Sequence, residues 1–375
     1  MSKAHKNDDW QNVDDGETGV TTVSIEPGRQ LDLYVENPNG NTDIVAADRD
    51  DVLARWQKIG RPGAPWYDEA TVDVLQIEDN RIEVKVSMPP VWPSGDFGRT
   101  VLKFLEGGLK GGNPFGMLSS GRVGFDLSIE LPRNAITAQP GRVRVRTANG
   151  DVQIEDVAGT IDVATANGDV KTLGTEGELS IHAANGDLTF ERPVGRVTAR
   201  TVSGDLAIRD GNLSRFTLNT VNGDTVVQTA LTGEASRIEG VSGDVQLDLT
   251  LPASGGTISL RGISGQAHVE PPFRPIAKRT WRIGPGTDGG PSVAVKTVSG
   301  DLRARGTLAT DANRPVESAV VPVPTPPEPP PAPAPPVPPA ETGGAPADPR
   351  LAVLHAVERG EIDIDEAMRR LDGLA

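Results

Sequence analysis

The sequence predicts an all-β fold: a parallel β-solenoid (β-helix) of about 18–22-residue coils, with a small C-terminal helical hairpin after a proline-rich linker. Three observations predict it. The tripeptide Asn/Ser-Gly-Asp recurs with central glycines Gly150, Gly168, Gly186, Gly204, Gly223, Gly243 and Gly300, and Ser264-Gly265-Gln266 is a degenerate copy. With Gly265 included, the intervals are 18, 18, 18, 19, 20, 22 and 35 residues, and a fixed period near twenty marks stacked repeats. Around each copy, apolar and polar residues alternate at the period of two that a half-buried strand requires. Finally, aromatics are only 4% of the 375 residues, so the core must be built from Val, Ile, Leu, Thr and Ala, which suit thin coils.

Residues 1–20 are polar and read as a disordered N-terminal segment. Residues 21–139 read as a β region that caps or starts the solenoid. Leu31, Leu33 and Val35 keep the period of two, as do Ile82, Val84 and Val86, and Phe125, Leu127, Ile129 and Leu131. Pro89, Pro90 and Pro132 are expected to end strands, because proline has no ladder donor. Between 94 and 122 glycines interrupt the pattern. Val101, Leu102, Leu105 and Leu109 there have roughly helical spacing, which predicts one short helix, either packed on the solenoid edge or used for docking.

Residues 140–307 are the repeat proper. In one unit Val143 and Val145 point one way and Arg144 and Arg146 the other; the chain turns at Asn149-Gly150-Asp151, and Val152 and Ile154 return to the apolar face. Gly159, Gly177, Gly195 and Gly233 read as a second corner, so each coil is expected to be two short strands. A lone coil leaves its apolar face uncovered. Stacking the next one about 4.8 Å above pairs every strand and covers that face. Antiparallel hairpins are the alternative, since Asn-Gly is also a hairpin turn. A second glycine corner at constant phase favours stacked coils. Glycine supplies positive φ at each corner, Asn tolerates it, and Asp or Ser can accept from nearby backbone N–H groups.

Residues 308–348 form the proline-rich linker, extended by its composition. Residues 349–375 then read as a helical hairpin. Leu351, Leu354 and Val357 line a first helix, Gly360 stops it, and Asp363 with Glu366 caps a second bearing Ala367, Met368 and Leu371. Two such short helices are marginal alone, so these six apolar residues are expected to dock on a protein partner or a second copy.

The net charge of −15 argues against nucleic acid, whose phosphates need a Lys/Arg footprint. Without cysteine there are no disulfides, thiolate metal sites or cysteine nucleophiles. No apolar run approaches a membrane span and no signal-peptide pattern opens the chain. The expected location is therefore cytoplasmic, with peripheral association at the envelope left open.

The copies Arg200-Thr-Val-Ser-Gly-Asp-Leu206, Asn219-Thr-Val-Asn-Gly-Asp-Thr225 and Lys296-Thr-Val-Ser-Gly-Asp-Leu302 resemble the bacterial "putative adhesin" β-strand-repeat family of unknown function, over roughly residues 20–307. The segment Leu351–Leu371 resembles the short helical tail of some relatives. Relatives carrying both parts are associated with cell-envelope stress responses. The resemblance implies a β-repeat fold, and it supplies no catalytic residue.

The residues themselves point away from catalysis. His5, His182, His268 and His355 are isolated in sequence, and no phosphate loop, nucleophile elbow or metal motif is present. Carboxylates recur in every coil, whereas a catalytic site needs unique groups in one place. In-register stacking would align Asp151, Asp169, Asp187 and Asp205 in a column, with repulsion of about 0.8 kcal/mol per neighbouring pair in water. Turn hydrogen bonding is the first reading of that column and a cation ladder the second. No cofactor is expected. The sequence thus predicts a non-catalytic scaffold for protein–protein interaction, in envelope stress or adhesion. The alternative is a carbohydrate-binding or carbohydrate-active β-helix, which an exposed aromatic platform would favour.

Overall fold

Register decides how the repeat is used. In this computed structural model, which describes residues 17–88 except 65, 66 and 79, residues 123–133, and residues 140–309 except 234, 263 and 286–289, successive units pair in parallel. Strands β8 (Gly141–Asn149), β10 (Ala158–Asn167), β12 (Glu176–Asn185) and β14 (Val194–Ser203) form one ladder, aligning Gly141, Gly159, Gly177 and Gly195. Strands β9 (Val152–Glu155), β11 (Val170–Leu173) and β13 (Leu188–Glu191) form a second, continued by the start of β15 (Leu206–Asn222). Each regular unit is therefore one strand of nine or ten residues and one of four, not two similar short ones. Antiparallel pairing does not occur between these units.

The stack begins before the regular repeat does. Strands β2 (Asp32–Asn39) and β3 (Thr42–Ala47) lie beneath β8 and β9, which puts Asn39-Gly40-Asn41 in register with Asn149-Gly150-Asp151. Below them, β6 (Arg81–Ser87) and β7 (Gly124–Pro132) pair in parallel with β2 and β3. The ends are antiparallel: β5 (Thr71–Glu78) on β6, β4 (Asp51–Ile59) on β7, and β1 (Thr18–Ser24) on β4.

At the other end the spatial order departs from the sequence order. The second half of β15, β17 (Ala235–Ser242) and β23 (Ser292–Ser299) continue the long-strand ladder. Strands β16 (Thr225–Leu231), β18 (Val245–Leu251) and β24 (Leu302–Leu308) continue the short one. Outside these lie β19 (Gly256–Gly262) on β23 and β20 (Ala267–Val269) on β24. The hairpin β21 (Arg274–Ala277) and β22 (Thr280–Ile283) then covers the far edge of β19. The corners are thus ordered Gly243, Gly300, Gly265 in space. The 35-residue interval holds a layer laid down first and a coil then inserted beneath it.

The core lies between the two ladders. Val143, Val145, Ile154, Ile161, Val163, Leu179, Ile181, Phe190, Val197 and Ile208 are all at most 2% exposed. Each such side chain contributes roughly 1.5–3 kcal/mol by leaving water. Threonines share the interior: Thr147, Thr165, Thr172, Thr175, Thr220 and Thr225 are buried, and their hydroxyls have no partner.

The second corner differs from the sequence expectation. Gly159, Gly177 and Gly195 do have positive φ, but they lie within the long strands. Gly233 has no place in that series, because Gly195 pairs with Leu213 at a register shift. The turn between short and long strand is made at Asp156, Gly174, Arg192 and Asp210, with φ of 52–62°. Three of these four are not glycine, so a left-handed turn there gives no glycine signal.

Residues 1–16, the 101–109 segment, the linker from 310 onward, and Leu351, Leu354, Val357, Ala367, Met368 and Leu371 lie outside the described residues. Among the described residues no helix is long and apolar enough to cross a membrane.

Candidate functional site

The Asn/Ser-Gly-Asp corner is where the repeat is most uniform, and its geometry accounts for each residue. Gly150, Gly168, Gly186, Gly204, Gly223, Gly243 and Gly300 have φ between +134° and +148°. That is more extended than the left-handed helical region, in territory essentially reserved to glycine. Each glycine also sits on the one below: a Cβ on Gly186 would lie 2.1 Å from the Gly168 carbonyl oxygen. The asparagines form a ladder in which Asn185 Nδ2 donates to Asn167 Oδ1 (2.9 Å), Asn167 to Asn149 (3.0 Å) and Asn149 to Asn39 (2.7 Å).

The aspartates form a second ladder. The backbone N–H of Asp169 donates to Asp151 Oδ1 (2.9 Å), that of Asp187 to Asp169 (2.9 Å), and that of Asp205 to Asp187 (2.8 Å). The bonds continue through Asp224, Asp244 and Asp301, and the N–H of Gln266 donates to Asp301. At the lower end the N–H of Asp151 donates to Asn41 Oδ1, and that of Asn41 to Asp126 Oδ1. Each carboxylate oxygen thus caps the N–H of the coil above, not one in its own turn. Gln266 lies in the outermost described coil, and among the described residues no corner lies above it, which explains why this copy lacks an aspartate.

One oxygen of each aspartate is occupied in this way. Among the described residues no three His, Asp or Glu side chains are grouped to hold an ion. At the lower end Asp43 has its carboxyl raised above the usual range, first by partial desolvation, then by the charges of Asp126, Glu155 and Asp151. His182 is half-buried with Nε2 3.3 Å from Ser180 Oγ, and His268 is exposed, far along the chain in the outermost coil.

The outer face of the long-strand ladder separates into two zones. On the first coils several of its charges are matched. Arg144 pairs with Asp32 (3.1 Å), Arg146 with Asp162 (2.7 Å), and Glu83 with Arg81 (3.0 Å) and Lys85. Burial pushes the Glu83 carboxyl up, but Lys85 and Arg81 outweigh it and hold the group below its ordinary value. The Tyr34 hydroxyl donates to Glu36 Oε2 (3.2 Å); burial, and then Glu36, raise its pKa. The residue before each corner glycine's Asn is here Ala148, Ala166 or Ala184, and all three are buried.

The last coils are different. The same position becomes Val202, Val221, Val241 and Val298, adjacent in that order by register. Val221, Val241 and Val298 are 39%, 46% and 44% exposed. Two residues earlier in their strands stand Arg200, Asn219, Glu239 and Lys296, with Arg261 beside Lys296. All of these except Val202 line a groove of about 710 Å³. Glu239 is engaged by Arg237 (3.4 Å), while Arg200, Arg261 and Lys296 form no ion pair among the described residues. Carrying the alternation of Val143 and Arg144 along each long strand puts these positions on the outward face. The change from Ala to Val at position 202 was the one signal in the sequence that could have located the groove.

Among the described residues the exposed large apolar side chains are Leu75, Ile77, Val194, Val221, Val241, Ile276 and Val298, none of them aromatic. Trp281 is half-buried against the core.

No family model and no curated protein matches this chain. Among solved structures it is similar to a "putative cell adhesion protein" from Clostridium sporogenes, at 10% identity and a TM-score of 0.27, over 78% of this chain and 99% of that one. At that level of likeness nothing about this chain's role follows from the neighbour.

Proposed function

We propose that this chain is a non-catalytic β-solenoid scaffold for protein–protein interaction and that its recognition surface is the grooved outer face of the last coils. The observation that carries the proposal is the column of exposed valines beside cations that have no carboxylate partner among the described residues. Strand positions facing water are ordinarily polar, and aligned apolar side chains on a rigid sheet mark a contact surface. The absence of an exposed aromatic among the described residues favours this reading over a carbohydrate platform, which would stack sugars on aromatic rings. The stacked coils supply rigidity; the ladders of Asn and Asp are structural in this scheme.

The C-terminal segment adds a second contact element in the same proposal. Leu351, Leu354, Val357, Ala367, Met368 and Leu371 would form its docking face, for a partner or a second copy, and the proline-rich linker would set its reach. The family resemblance makes an envelope-stress or adhesion setting the first to examine.

Light scattering and partner capture on the full chain test the proposal, using Val241→Asp in the groove and Leu354→Asp with Leu371→Asp in the tail. Loss of association with either set supports the scaffold reading and identifies the element responsible. Unchanged association in both, with saturable binding to a glycan panel, would replace it by the carbohydrate reading.

A further inference from the structure

We infer that the groove takes an acidic amphipathic α-helix lying across the strands, with one apolar residue per turn seated on the valine column and carboxylates beside it. The inference rests on the reading of this face as a protein-recognition surface and names what it recognises.

Spacing comes first. Adjacent strands stand about 4.8 Å apart, so the three groove valines at 221, 241 and 298 span about 10 Å along the stack. An α-helix advances 5.4 Å per turn, so two turns cover about 11 Å and stay within side-chain tolerance of the column. An extended segment in the same direction repeats one face every ~6.6 Å and would need about 13 Å for three contacts, leaving the column by the third. Nor can a strand add by hydrogen bonding here. Strands β15, β17 and β23 each have neighbours on both sides, so the groove floor presents side chains and no free backbone edge.

Charge selects the helix. Three cations, Arg200, Lys296 and Arg261, flank the apolar column in a chain whose net charge is −15, and Glu239 is already held by Arg237. On the first coils the corresponding outward Arg146 is buried and closed onto Asp162. Arg200, Lys296 and Arg261 have no such partner within the described fold. A helix whose apolar stripe is flanked by Glu supplies both the burial and the missing carboxylates. Valine suits the floor of such a site, because its stiff β-branched side chain has little freedom to lose.

The test uses the full chain and three synthetic helical peptides of about eighteen residues, read by fluorescence anisotropy. One carries a leucine at each turn flanked by glutamates. The second replaces the glutamates by lysines. The third has the acidic composition rearranged to alternate like a strand. The acidic helix should bind at least tenfold more tightly than either control and weaken as salt is raised. Val241→Asp should abolish its binding. Arg200→Glu with Lys296→Glu should move the preference to the lysine peptide; both sites are exposed, so folding is retained. Leu75→Ser, on the exposed strand β5 at the opposite end, should change nothing. Equal binding of the strand-patterned peptide, or no peptide binding by a folded chain, would overturn the inference. If that happens while Val241→Asp still abolishes association of the native chain, the helical occupant is wrong and the recognition face stands. If Val241→Asp affects neither, both fail.

Discussion

Replacing Gly186 by alanine tests the stacked corner most directly. The backbone there has φ +139°, and holding an L-residue in that region costs about 1–3 kcal/mol. The new Cβ would lie 2.1 Å from the Gly168 carbonyl oxygen and 2.7 Å from its carbon, so the corner must move by more than an ångström. That movement breaks the bond from Asn185 Nδ2 to Asn167 Oδ1, worth about 1 kcal/mol, and the charge-assisted bond from the Asp187 N–H to Asp169 Oδ1, worth about 1.5–3 kcal/mol. The expected loss is about 4–6 kcal/mol, a large part of the stability of an ordinary domain. Gly28→Ala is the control. Its φ is +78° and a Cβ there meets nothing within 4 Å, so only the conformational cost of about 1–2 kcal/mol remains. Urea unfolding followed by both circular dichroism and tryptophan fluorescence measures the two. If Gly186→Ala is no more destabilising than Gly28→Ala, the close stacking of glycine on glycine is not what holds the corner.

Three further substitutions probe the ladders and the charges around them. Asp187→Asn keeps the Oδ1 acceptor and removes repulsion, so its unfolding midpoint should equal or exceed the parent's, whereas Asp187→Ala strands the Asp205 N–H and should cost about 1.5–3 kcal/mol. Thr165→Val replaces a buried hydroxyl without a partner by a methyl group and should stabilise by about 1 kcal/mol in the same titration; a loss of stability would show that the hydroxyl is satisfied. For Asp43 the folded carboxyl is raised, so its contribution is full below the unfolded pKa and is lost as pH rises through the folded one. Asp43→Asn should therefore raise the melting temperature at neutral pH and leave it unchanged in acid; the opposite pattern would mean that the neighbouring carboxylates do not act on it.

Much of the fold was legible because one residue type is forced at one place. A corner with φ near +140° and a backbone oxygen about 2 Å from any Cβ admits only glycine, so Gly150 through Gly243 could be read at once. The turn at Asp156, Gly174, Arg192 and Asp210 was missed for the converse reason. Its φ of 52–62° strains a non-glycine residue only modestly, and the sequence varies there. The position of Ser299-Gly300-Asp301 beneath Ser264-Gly265-Gln266 was hidden because a corner motif carries no information about which corner lies above it. Its side chains do carry that information. A corner that must accept from the next coil needs Asp or Asn, as at Asp301 and Asn41, and a terminal corner needs no acceptor, as at Gln266.

The candidate site was harder to read because its signal is a contrast along the stack, visible only after register is known. Alternation shows that residues 148, 166, 184, 202, 221, 241 and 298 face outward, but it predicts polar residues there equally at every coil. The structure reverses that expectation twice. The small Ala148, Ala166 and Ala184 are covered, and the larger Val221, Val241 and Val298 are open. If solubility alone governed this column, the open positions would carry threonine or charge, as the alternating face does at Thr198 and Arg196. Valine instead stands beside Arg200, Lys296 and Arg261, which form no ion pair among the described residues, and Val221, Val241 and Val298 line one groove with them. Apolar surface and uncompensated charge appearing together in one groove are the requirements of an amphipathic partner rather than of the fold. On the coils below, Glu83, Arg144 and Arg146 are matched within the fold.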